Sequence, residues 1–117
     1  MLTVKEKGLL IHISDYCRRI ESKINGLTKE SLRKNKDTLE IICFNILQIG
    51  ELAKKFTPEF IHFHKLVPWK DIKGMRDRIV HGYGDIRIDK VYDTVINDIL
   101  PLENYCETLL KDEDFGK

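Results

Sequence analysis

Proline, glycine and cysteine are scarce in this chain: three, seven and three of 117 residues. With 42% of the residues apolar, intrinsic disorder is excluded, and the length suits a single domain over residues 1–117 that folds on its own core. The cysteines, Cys17, Cys43 and Cys106, are odd in number, far apart and set among apolar residues at helical spacing. They read as small core residues in a reducing compartment rather than as a disulfide framework. Long apolar runs are missing too. The longest uncharged stretch, Ile41 to Gly50, holds Asn45 and Gln48 and falls far short of the ~20 residues that a membrane span needs. Lys5, Glu6, Lys7 and His12 break up the one N-terminal stretch that could resemble a secretory signal, so a soluble cytoplasmic protein is expected. A net charge of only +1 excludes a globally polybasic coat protein and an acidic tail, so any polyanion site must be local. There is no glycine-rich phosphate loop and no Ser-His-Asp ordering, which excludes nucleotide hydrolysis by a P-loop.

What is present is helical periodicity. Leu10, Ile13, Cys17, Ile20, Ile24 and Leu27 form one stripe along a long first helix that ends at Gly26. The polar stretch Thr28 to Asn35 is a turn or small helix. Asp37 with Glu40 three residues later reads as an N-cap and its capping-box partner, opening a second long helix to about Phe56. That helix is apolar nearly all round, with Asn45, Gln48 and Glu51 as a narrow polar line, the profile of a buried bundle centre. Thr57-Pro58-Glu59 and Pro68-Trp69 are two further start signals. The second opens a helix carrying Ile72, Met75, Ile79 and Val80 that stops at His81-Gly82. A last helix carries Ile88, Tyr92, Val95, Ile99, Leu102, Cys106 and Leu109, kinked at Pro101. The fold class expected is all-α, an antiparallel bundle of four to five helices.

One charged residue stands out. At ~100° per residue, and taking Ile72 as zero, Arg76 falls near 40°, inside the arc of Met75, Ile79 and Val80. A guanidinium stays charged, so burying it unpaired costs several kcal/mol. Either a carboxylate, with Glu51 the nearest candidate, or a second chain must meet it. His81 reads as part of the last turn of the same helix, where the helix end favours the imidazolium, a form that can donate a proton. Five positions separate the two, or about 140° on a straight helix. One chain is ill placed to aim both at one phosphate, whereas two copies about a twofold axis could line one cleft with both pairs.

The segment Gly74-Met75-Arg76-Asp77-Arg78-Ile79-Val80-His81-Gly82-Tyr83 resembles the R-x-x-x-x-H-x-Y signature of HEPN-domain proteins, specifically the HepT-like toxins. Ile49-Gly50-Glu51, Pro68-Trp69 and Asp98-Ile99-Leu100-Pro101-Leu102 resemble that family at comparable spacing, so the likeness covers nearly the whole chain. It implies a dimeric HEPN-like bundle and a metal-independent endoribonuclease without a cofactor, the toxin of a toxin–antitoxin pair. Arg76 and His81 are then the active residues, supported by Glu51, Asp77 and Arg78. The implied partner is a minimal nucleotidyltransferase antitoxin of the MntA type, which silences the toxin by transferring AMP from ATP to the motif tyrosine, here Tyr83.

These residue types suit the chemistry. RNA is cleaved when its 2′-hydroxyl attacks the adjacent phosphate, so protons must move and charge on the phosphorane must be stabilised. A histidine moves protons and an arginine offers planar cationic donors to phosphate oxygens. An AMP on Tyr83 would set an anion where RNA phosphates dock. Trp69 to Lys90 is net +2, with Lys73, Arg78 and Arg87 as RNA-contact candidates, and Lys29, Arg33, Lys34 and Lys36 against Glu30 form a second basic patch or an ordinary solvated face. Single-stranded RNA is the expected target. His62, His64 and His12 do not make a metal set, because two histidines two apart on a helix diverge. The competing readings are a non-catalytic module that binds a nucleotidyltransferase or serves as its substrate, and a structural dimer in which Arg76 pairs with Glu51 for register.

Overall fold

A computed structural model of the chain describes residues 2–81 and 85–115, with no side-chain description for 81, 85 and 112–115. The elements run α1 (Val4–Ile24), α2 (Lys29–Lys34), α3 (Lys36–Ala53), α4 (Pro58–Phe63), α5 (Trp69–Lys73), α6 (Met75–Ile79), strands β1 (Val80–His81) and β2 (Asp85–Ile86), and α7 (Ile88–Thr94). A π-helical turn (Val95–Ile99) and α8 (Leu100–Phe115) follow without a break. The class is all-α, as the periodicity implies. The long helices α1, α3 and α8 make the body, α1 packing on both others, while the short helices α5 and α6 pack on α3.

The stripe on α1 is buried as read: Leu10, Ile13, Cys17 and Ile20 are sealed from solvent, with Leu9 and Ser14 beside them. Facing them are Ile42, Ile46 and Ile49 of α3, Val95 and Ile99 of the π turn, and Leu102 and Cys106 of α8. Each such aliphatic side chain contributes roughly 1.5–3 kcal/mol by leaving water. All three cysteines are free thiols in this core. Burial pushes the Cys43 thiol up to about 11 and Cys106 to about 12, and raises Cys17 as well, so none is a reactive thiolate at neutral pH.

Helix starts follow local chemistry. Thr3 caps α1 with Glu6 in a reciprocal capping box, and Thr57 caps α4 ahead of Pro58. Asp37 does not cap α3. The cap is Asn35, whose side-chain oxygen accepts the Thr38 amide at 3.2 Å, so the helix starts two residues earlier than the Asp37–Glu40 pair suggested. Gly26 has φ 78°, the left-handed conformation that lets the chain turn out of α1.

α3 is not apolar all round. Ile41 and Phe44 are exposed, Phe44 by 56%, whereas Asn45 is buried and donates from Nδ2 to the Ile41 carbonyl at 2.7 Å. Hydropathy alone could not separate the two sides, because α3 is covered by α1 on one flank and by α5 and α6 on another, leaving the third open. Pro101 has no amide hydrogen for the Asn97 carbonyl, and the chain responds just upstream with a wider turn in which the Leu100 amide bonds to Val95 O.

Candidate active site on the Gly74–Val80 segment

Trp69 fixes where this segment begins. Its ring is buried against Phe56 and Phe60, at centroid distances of 5.1 and 5.8 Å, and its indole N–H donates to the His64 carbonyl at 2.9 Å. α5 then lies close on α3. A Cβ on Gly50 would sit 3.5 Å from Ile72 O and 3.8 Å from Lys73 O, in ordinary van der Waals contact, so the end of α5 passes directly over this point of α3.

The helix expected to run unbroken to Val80 instead breaks at Gly74 (φ −94°, ψ 6°), which separates α5 from the five-residue α6. That break corrects the placement of Arg76. Met75 and Ile79 are fully buried, but Arg76 is 63% exposed, because angles counted from Ile72 do not carry across a change of helix axis. No carboxylate has to neutralise a buried cation. Arg76 Nη1 lies 3.6 Å from Asp77 Oδ1, itself a solvent-facing carboxylate, and Glu51 pairs with Lys54 at 3.1 Å instead of with Arg76. The register pair of the structural-dimer reading is therefore not formed.

His81 is not in a last helical turn either. α6 ends at Ile79, and His81 follows in extended backbone, its backbone opposite that of Asp85 in a two-residue antiparallel ladder in which Val80 pairs with Ile86. The Arg87 amide adds a bond to Ile79 O at 2.7 Å. A helix end acts only on its own last turn, so its field is no longer the argument for a charged His81. The 140° separation from Arg76 also lapses, since it assumed one straight helix. Tyr83 and Gly82 lie outside the described residues.

The other site candidates divide. Arg78, though exposed, is tied to its own chain: Nη2 donates to Asp98 Oδ2 at 2.5 Å and to the Asp71 carbonyl at 3.2 Å. Lys73 is half-buried, and Arg87 is exposed at the start of α7. In the second basic patch, Lys29 pairs with Asp93 at 3.1 Å and Arg33 with Asp89 at 3.1 Å, so these cations tie α2 to α7. Among the described residues, no group of three His, Cys, Asp or Glu side chains is placed to hold a metal ion, and no helix is long and apolar enough to cross a membrane. His64 is engaged in packing, its Nδ1 3.2 Å from Tyr105 Oη. In the sequence Asp98 stands only as the first residue of the resembling segment Asp98 to Leu102, with no partner or role assigned to it. Its signal was a carboxylate next to Ile99 at the edge of an apolar stripe.

An exposed arginine on a buried-anchored helix, with a histidine five positions on, is the arrangement on which comparison with known proteins bears. The profile of the family described as "Ribonuclease HepT-like" matches residues 13–109. The chain belongs to the HepT-like ribonuclease family. A relative from Caldanaerobacter subterraneus subsp. tengcongensis, named "Putative RNase", is 30% identical over 89% of this chain and 93% of its own length. Another, from Thermococcus cleftensis, named "Probable ribonuclease HepT", is 28% identical over 90% of this chain and 96% of its own. A third, from Methanocaldococcus jannaschii and also named "Putative RNase", is 28% identical over 91% and 88%. No solved structure matches the chain. HepT-like membership supports ribonuclease activity, and the segment from Met75 to His81 falls wholly within the matched region.

Proposed function

We propose that the protein is a metal-independent endoribonuclease, the toxin of a toxin–antitoxin pair, acting on single-stranded RNA as a homodimer. The observation that carries this reading is the exposure of Arg76 on a helix whose neighbours Met75 and Ile79 are fully buried. A cation fixed at its root and open at its head can bind a phosphate from outside the chain. Arg76 stabilises negative charge on the phosphorane, and His81, held in the β1–β2 ladder, moves the proton. These two roles account for cleavage through the 2′-hydroxyl without calling on an ion.

Dimerisation is supported by the open flank of α3, the helix on which α5 and α6 pack. Ile41 and Phe44 lie exposed there beside Asp37 and Glu40, an apolar surface suited to a second copy. A composite cleft would then gather two arginines and two histidines. Buried free thiols fit a reducing cytoplasmic setting. Silencing follows if a minimal nucleotidyltransferase of the MntA type adds AMP to Tyr83, two residues past His81, because the added phosphate repels the RNA backbone.

Purified, unmodified protein incubated with single-stranded RNA in EDTA should yield fragments ending in a cyclic phosphate. Intact mass should rise by one or more adenylyl groups, mapped to Tyr83, when the protein is made with its nucleotidyltransferase. Intact RNA together with AMP uptake would replace the enzyme by the non-catalytic substrate module.

A further inference from the structure

α6 is only five residues long and has no side-chain cap at its start, so on its own it would not hold a fixed orientation. Met75 and Ile79 lie one turn apart on one stripe. They hold the helix against the core but resist rotation about its axis poorly. Arg78 supplies a contact off that stripe. Its guanidinium bridges Asp71 O, in α5 before the Gly74 break, and Asp98 Oδ2, in the π-helical turn before Pro101. Asp98 is only 12% exposed, against 38% or more for the acidic partner in the other ion pairs described. Partial burial makes this pair less screened by water than an open surface pair. It sits at the wall of a cleft of about 150 Å³ that also touches Pro68, Ile72, Asn97 and Pro101, on the side of the break that α5 occupies.

We propose that Asp98 is a positioning residue for the ribonuclease site: through Arg78 it sets the roll of α6, and with it the place of the Arg76 guanidinium. This rests on the reading of Arg76 as the phosphate-binding cation. It also assigns Arg78 to holding the site rather than to touching RNA. The lever is short and stiff. With side chains a helix has a radius of about 5–6 Å, so a roll of about 10° moves the Arg76 head by about 1 Å. A misplacement of that size in a catalytic group costs up to ~100-fold. π-helical turns are often found at functional sites, and here the turn carries the anchoring carboxylate.

The test is steady-state cleavage of single-stranded RNA by the full-length protein, its Asp98→Asn and Asp98→Glu variants, and Arg78→Gln, with thermal melts of each. Asp98→Asn should lower kcat by roughly 10- to 100-fold while KM stays within about twofold. Asp98→Glu, which keeps the charge, should recover most of kcat at a melting temperature close to that of Asp98→Asn. If Asp98→Asn fails to fold, Arg78→Gln, at a more exposed position, must give the same loss in kcat. A kcat within twofold of wild type in a folded Asp98→Asn protein overturns the assignment, as does a rise in KM alone, which would make Arg78 an RNA contact. In either case a wild-type protein that cuts RNA and an Arg76→Ala variant that does not would leave the ribonuclease reading intact. A wild type that does not cut at all sinks both.

Discussion

Replacing Arg76 by alanine separates a catalytic cation from a scaffolding one, because the two make opposite demands on stability. In the structure the guanidinium is 63% exposed, and its recorded ion pair is with Asp77, 86% exposed, at 3.6 Å. Such open pairs contribute roughly 0–1 kcal/mol, and alanine is the better helix former, so the two effects nearly cancel. For a chain of this size the melting temperature should move by less than about 3 °C. Had Arg76 been sealed against Glu51, removing one partner would cost about 3–5 kcal/mol and lower the melting temperature by more than ten degrees. Activity should behave the other way. Loss of a preorganised donor to a developing oxyanion lowers the rate by roughly 100- to 1000-fold. The assay is cleavage of a labelled single-stranded RNA in EDTA, paired with thermal melts and circular dichroism on the same preparation. A large fall in melting temperature, or cleavage surviving at more than about a third of the wild-type rate, would refute the reasoning.

Glu103 should give the fold a pH dependence. Burial, then hydrogen bonding and charge repulsion from Glu21, then Glu107, push its carboxyl from 4.5 up to about 7. The folded chain therefore keeps a proton that the unfolded chain releases, and this group's contribution to stability is full below about pH 4.5 and declines as the pH rises through about 7. Glu103→Gln should flatten that decline and raise the melting temperature at pH 8 more than at pH 5; equal shifts at the two pH values would count against it. At the start of α3, Asn35→Ala should cost about 1 kcal/mol in urea unfolding and Asp37→Ala only a few tenths, an order that would reverse if Asp37 were the cap. Replacing Lys29 and Arg33 together should loosen α2 from α7, seen as faster amide exchange in both, while the salt dependence of RNA binding stays the same; a shallower dependence would restore that patch as an RNA footprint.

Periodicity was enough to place the long helices. The stripe from Leu10 to Ile24 is buried because apolar residues three and four apart have one way to leave water together. The same holds for the Thr57-Pro58 start, where a hydroxyl meets an orphan amide within one turn of chain. The motif positions Arg76 and His81 were also visible from spacing. Their surroundings were not. Whether Arg76 is covered depends on the direction in which the chain leaves Gly74, and that direction is set by Trp69 among Phe56 and Phe60 and by the ladder joining Val80 to Ile86. Ile41 and Phe44 looked like core and Asn45 like surface, because hydropathy gives a residue's preference and not which neighbours remain to cover it. Asp98 acquired a role only when a residue twenty positions earlier was folded back against it. Local sequence determines what can be settled within a turn or two of backbone. Contacts between distant segments are decided by how the helices share a limited interior, and that competition exists only once the chain is folded.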